Sequence, residues 1–147
     1  MTTIAWDGET LAADRCSWNG YARSRCRKVF RVRAPGGAVF LVAFAGSAQF
    51  ANAILGWMRG EGEAPKHDAF GVASTDAVAV VVDQRRRVFL MGAQLTYEPK
   101  RERIFAFGGG HEFAWGALEA GASARRAVLI AAKRSDYAGF GVDTVMF

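Results

Sequence analysis

The chain has 147 residues, of which 51% are apolar and 22% charged, the length and balance of one globular domain spanning 1–147 with enough apolar surface for a core. Its longest apolar runs, at 38–45 and 77–82, fall far short of the roughly 18 residues that a membrane span needs. The start lacks the basic and apolar segments of a signal peptide, so no membrane partner and a cytoplasmic location are expected.

Cys16 and Cys26 are the only cysteines, and His67 and His111 the only histidines. None falls at zinc-ligand spacing, which points to reduced thiols, with no metal and no cofactor. The formal net charge is +5 and the pI about 9.7. The basic residues come in short groups, such as Arg85-Arg86-Arg87 and Arg125-Arg126, at places where turns are expected. Nucleic-acid binding needs a continuous basic face, so solvated tips are the better reading.

In chain order, Asp7-Gly8 between two apolar alternations predicts a two-residue hairpin turn, pairing Ile4 with Leu11, Thr2 with Ala13 and Met1 with Asp14. The start of the chain is thereby held in a sheet. Removal of Met1, which is common before a residue as small as Thr, leaves the Thr2 α-amine close to Asp14. A terminal Thr carries its own base, because an α-amine has a reference pKa of about 7.7–8.0. On spacing alone, however, Thr2-Thr3 reads as an ordinary strand start.

Ser17-Trp18-Asn19-Gly20 reads as a turn, and 26–32 as a strand with Cys26, Lys28 and Phe30 on one face and Val29 on the other. The run 38–44 is apolar enough for a strand buried on both faces. Ser47 is placed to cap a helix in which Phe50, Ile54, Trp57 and Met58 recur at helical spacing, and 60–75 reads as a loop. A hairpin is predicted from 77–82 and 87–91, then extended pieces at 93–97 and 104–107. Gly108-Gly109-Gly110 follows, then helices at 111–120 and from Ser123 to about Arg134, and a terminal strand in 139–147. Without long βαβ alternation, the order implies antiparallel sheets packed against helices, an α+β fold. The triple glycine matches neither the dinucleotide fingerprint nor a phosphate loop, and a tight strand-to-helix connection accounts for it equally well.

Several segments occur together in a specific order: Thr2-Thr3-Ile4, Leu11-Ala12-Ala13-Asp14-Arg15, Arg27-Lys28-Val29, Phe44-Ala45-Gly46-Ser47 and Gly-Gly-Gly-x-x-Phe-Ala at 108–114. This order resembles the proteasome β-subunit family of N-terminal-nucleophile hydrolases and is most similar to the HslV-like peptidases. The resemblance implies a four-layer αββα sandwich, two antiparallel sheets between helical layers, and hydrolysis of peptide bonds in a peptide or unfolded-protein substrate. It assigns Thr2 as nucleophile, with its amine as base, Lys28 as a cation that keeps the amine neutral, Asp14 as their anchor and the Gly46 N–H as oxyanion donor. It sets Cys26, Phe44 and Ala48 in an apolar substrate pocket.

Three positions depart from the family pattern: Gly109 replaces a serine that assists the amine, Ser135 replaces a carboxylate with Asp136 one residue later, and Ala138 replaces a Ser or Thr. The loop at 60–75 stands where a long helix normally lies, shortening one helical layer. A homo-oligomer is implied, with its ring form open and an ATP-dependent unfoldase as an unidentified partner. Two alternatives stand beside the peptidase reading: a catalytically degenerate structural subunit and, behind it, a basic nucleic-acid-binding module.

Overall fold

The protein is described from a computed structural model that covers residues 2–66 and 77–147. Met1 and the part of the expected 60–75 loop beyond Lys66 lie outside the described residues. The first hairpin joins β1 (Thr3–Trp6) to β2 (Leu11–Asp14). A second joins β3 (Cys16–Asn19) to β4 (Ala22–Arg25), and β5 (Val29–Arg33) and β6 (Val39–Ala45) lead into helix α1 (Ala48–Met58). After the undescribed segment come β7 (Val78–Asp83), β8 (Val88–Gly92), β9 (Tyr97–Lys100) and β10 (Phe105–Gly108). Helices α2 (His111–Glu119) and α3 (Ala124–Ala132) precede β11 (Val142–Val145).

The strands form a four-stranded sheet in the order β10-β1-β2-β11, a five-stranded sheet in the order β5-β6-β7-β8-β9, and the separate β3–β4 hairpin. Every ladder is antiparallel.

Strand alternation sorts the side chains into three apolar layers. Ile4, Trp6 and Leu11 point between the two sheets, where they meet Val29, Leu41, Val80 and Val82. On the outer face of the five-stranded sheet, Val42, Phe44 and Val81 receive Phe50, Ile54 and Leu55 of α1. The outer face of the four-stranded sheet presents Ala5, Ala12 and Ala106, with Val142, to Ala124, Ala127 and Ala131 of α3. These small residues let the helix lie close to the sheet. The result is the expected α+β, αββα sandwich. Among the described residues, one helix covers the five-stranded sheet and two cover the four-stranded sheet.

Four local expectations are corrected. The β1–β2 register is Ile4 with Ala13 and Trp6 with Leu11, so the loop holds four residues and not two. The Asp7 carboxylate explains this. Its Oδ1 accepts the N–H groups of Glu9 (3.0 Å) and Thr10 (2.8 Å), which stabilises the wider loop. A two-residue shift keeps every side chain on its own face, so apolar patterning cannot distinguish the two registers.

The 17–20 turn is in fact mostly β3, with the reversal at Gly20-Tyr21, where Gly20 has a φ of +59°. The 26–32 strand begins only at Val29, because Cys26 still extends the hairpin by donating its N–H to the Arg15 carbonyl (2.9 Å). The extended piece at 93–97 is a turn with Leu95 at φ +59°, and the strand starts at Tyr97. Pro99 is accommodated there because β9 is an edge strand.

Asp7 also reaches out of its own hairpin: Oδ2 accepts the Ala124 N–H at 2.7 Å, at the start of α3. It adds to the cap from Ser123, whose hydroxyl accepts the Arg126 N–H (3.3 Å). Asp7→Ala therefore removes a loop clamp and a helix cap together. We expect a loss of about 2 kcal/mol, read by urea denaturation, against a smaller loss for Ser123→Ala.

Candidate active site

The first described residue, Thr2, lies at the end of the sandwich where β1 begins and β6 passes into α1. It is only 3% exposed. The Gly109 N–H donates to its carbonyl oxygen at 2.8 Å, which extends the β1–β10 ladder by one step. This approach requires glycine at 108. Gly108 has a φ of +93°, and a Cβ there would lie 1.8 Å from the Thr2 oxygen.

Asp14, at the end of β2, is fully buried. Its Oδ1 accepts the Thr3 N–H at 2.8 Å, and its Oδ2 accepts those of Cys16 (2.8 Å) and Gly139 (3.3 Å). The Lys28 ammonium, 7% exposed, lies 3.2 Å from both carboxylate oxygens and also donates to the Cys16 carbonyl. The two-residue shift of register puts Thr3, and not Met1, opposite Asp14: the carboxylate grips the chain through the amide of Thr3, and Thr2 lies just beyond it.

Thr2 and Lys28 open onto a cavity of about 230 Å³. Gly46, at φ +91° between β6 and the cap Ser47, forms one lip. The three residues expected to line a pocket, Cys26, Phe44 and Ala48, all do so. Phe30 and Phe44 pack edge-to-face with centroids 6.0 Å apart, as do Phe44 and Phe50 at 6.2 Å, which stiffens the apolar wall.

Of the three supporting positions, Gly109 meets Thr2 through its backbone N–H alone. Ser135 uses its hydroxyl to accept the Tyr137 N–H at 3.3 Å, Asp136 is exposed, and neither they nor Gly109 line the cavity. A Cβ on Gly109 would stand 3.1 Å from Tyr137 Cβ and 3.2 Å from its ring, so Tyr137 covers the space a side chain there would take. Among the described residues, no three His, Cys, Asp or Glu side chains group in a way that would hold a metal ion.

Sequence reasoning missed the β3–β4 hairpin as a wall of the site. Ser17 and Trp18 of β3, and Arg27 just beyond β4, line the cavity. It also missed Cys16 and Gly139 as partners of the Asp14–Lys28 pair. Cys16 was discoverable, because an Asp commonly accepts the amide two residues on. Gly139 is 125 residues away and carries no such signal.

The Asp14–Lys28 pair yields a stability test. Lys28→Met strands a buried carboxylate and should cost about 3–5 kcal/mol in denaturant unfolding. Adding Asp14→Asn should recover part of that loss, so that the double variant is more stable than the two single losses summed.

At the level of sequence, no family model and no curated protein matches the chain. Solved structures match it throughout. BPH from Thiobacillus denitrificans is 20% identical with a TM-score of 0.72, over 99% of this chain and 96% of that one. The same protein in complex with epoxomicin matches equally well, with a TM-score of 0.72. HslV from Trypanosoma brucei is 21% identical with a TM-score of 0.66, over 99% of this chain and 98% of that one. Anbu, the ancestral beta-subunit, from Yersinia bercovieri is 15% identical with a TM-score of 0.68, over all of this chain and 81% of that one. The chain thus has the fold of the proteasome-like N-terminal-nucleophile hydrolases.

Proposed function

We propose that this chain is a threonine peptidase that acts once Met1 has been removed. The observation that carries this reading is the setting of Thr2: it is held by the Gly109 amide, it sits beside the anchored Lys28, and it opens onto a cavity lipped by Gly46. With Met1 attached, the Thr2 nitrogen is an amide and has no basic lone pair. Once freed, it takes the Oγ proton as Oγ bonds to the scissile carbonyl carbon, and returns that proton to the departing amine as the C–N bond breaks. Water then hydrolyses the Thr2 ester.

Lys28 favours the neutral amine, because a nearby cation disfavours a second positive charge. Asp14 fixes Lys28 and, through Thr3, the start of the chain. The Gly46 N–H serves as oxyanion donor, a contact whose loss typically costs about 10²–10³ in kcat. In this reading the protein is cytoplasmic, self-associates, and takes peptides or unfolded protein. No helix among its described residues is long and apolar enough to cross a membrane.

Epoxomicin, the compound bound to BPH, is a direct probe. Protein shown by intact mass to begin at Thr2 should gain one adduct and hydrolyse casein. Thr2→Ala and the Met1-bearing form should do neither. Absence of both labelling and hydrolysis from correctly trimmed protein overturns the proposal. Hydrolysis should rise with pH and be lost as the amine protonates, with a midpoint below the ~7.7–8.0 of a free α-amine.

One observation favours a second reading, a structural subunit without activity: Tyr137 fills the space over Gly109, and Ser135 and Asp136 lie away from the cavity. In that case trimmed protein stays inert while still assembling, which light scattering would detect.

A further inference from the structure

The cavity beside Thr2 has one apolar wall, neutral polar side chains at Thr2, Ser17, Ser47 and Asn52, and positive charge at one edge. Phe30, Phe44, Ala51 and Leu55 supply the apolar wall, and among the described residues no carboxylate lines the cavity. Its two charged lining residues differ in state. The Lys28 ammonium is engaged by the buried Asp14 carboxylate and the Cys16 carbonyl. Arg27 is exposed, and no carboxylate pairs with it among the described residues.

The Arg27 guanidinium is nonetheless held in place. Its Nε donates to the Val29 carbonyl at 3.0 Å, and its central carbon sits 5.4 Å from the centroid of the Phe30 ring, itself a wall of the cavity. Stacking uses one face of the guanidinium and the Nε bond uses one edge. The two Nη groups keep their donors, in the fork geometry that receives both oxygens of a carboxylate. The neighbouring hairpin strengthens the field. Arg23 and Arg25 lie over Phe140, at 5.0 and 5.8 Å, and pair with no carboxylate among the described residues. Positive charge beside low-dielectric walls attracts an anion.

We propose that Arg27 makes this cavity selective for an acidic side chain, so that the substrate residue entering it beside the cleaved bond is glutamate. The glutamate methylenes would lie along Phe30 and Phe44, with the carboxylate on the Arg27 Nη pair. The inference rests on the peptidase reading and adds the substrate class. It also revises the wholly apolar specificity expected from Cys26, Phe44 and Ala48.

The test uses acetylated tetrapeptides that differ only in the residue destined for the cavity: Glu, its neutral isostere Gln, Leu or Arg. Coumarin amides report kcat/KM with trimmed protein. C-terminal amides report Kd with Thr2→Ala by calorimetry, independently of hydrolysis. Glu should exceed Gln by about tenfold in both measurements at low salt, the scale of an exposed charge-assisted pair, and less at 0.5 M salt. Arg27→Met should bring the Glu-to-Gln ratio close to 1, while Arg27→Lys should keep part of it. Equal Glu and Gln, or a preference unchanged in Arg27→Met, overturns the inference. Thr2-dependent cleavage without Glu preference leaves the peptidase reading standing and removes this one. Arg27-dependent Glu binding without any cleavage does the reverse.

Discussion

The ion pair between Asp14 and Lys28 is the constraint around which the site is arranged. Burying two charges is costly unless their remaining hydrogen-bonding capacity is met. Here the carboxylate takes three backbone N–H groups and the ammonium takes a backbone carbonyl as well as the carboxylate. Each contact ties down a different part of the chain: the start of β1, the junction of β2 with β3, the approach to β5, and the segment before β11. The pair thus ties the start of β1 to three other parts of the chain.

Around that point, side-chain size decides which surfaces approach and which remain open. Alanines on the outer face of the four-stranded sheet bring α3 close, and Asp7 pins the start of that helix to the opposite end of β1. On the other outer face, large side chains hold α1 away from the sheet, and its first turn forms one bank of the cavity. The β3–β4 hairpin forms the other bank, outside both main sheets. The cavity is therefore bounded by a helix, a sheet edge and a free hairpin, and its charge comes from the segment that leaves the hairpin.

Much of the architecture was legible because apolar periodicity is local. The run that became β6, the Ser47 and Ser123 caps and the strand-to-helix passage at Gly108-Gly109-Gly110 all lie within a few residues of where their spacing put them. Two of the misplaced features share a cause. The β1–β2 register and the start of β5 depend on a few polar contacts, Asp7 with two amides and Cys26 with the Arg15 carbonyl, to which apolar patterning is blind.

For the site, the resemblance of ordered segments brought Thr2, Asp14, Lys28 and Gly46 together on paper, and the fold sets them at one end of the sandwich. The sequence by itself determined the layer pattern and the residue types at this end, because alternation and capping are properties of neighbouring residues. Only the tertiary structure decided that Asp14 acts through Thr3, that Gly139 completes its hydrogen bonding, that Tyr137 covers Gly109, and that Arg27 lies along the cavity without a carboxylate partner among the described residues. The first depends on a two-residue choice of register, and the others on contacts between segments whose meeting in space spacing along the chain does not encode, 125 residues apart for Asp14 and Gly139.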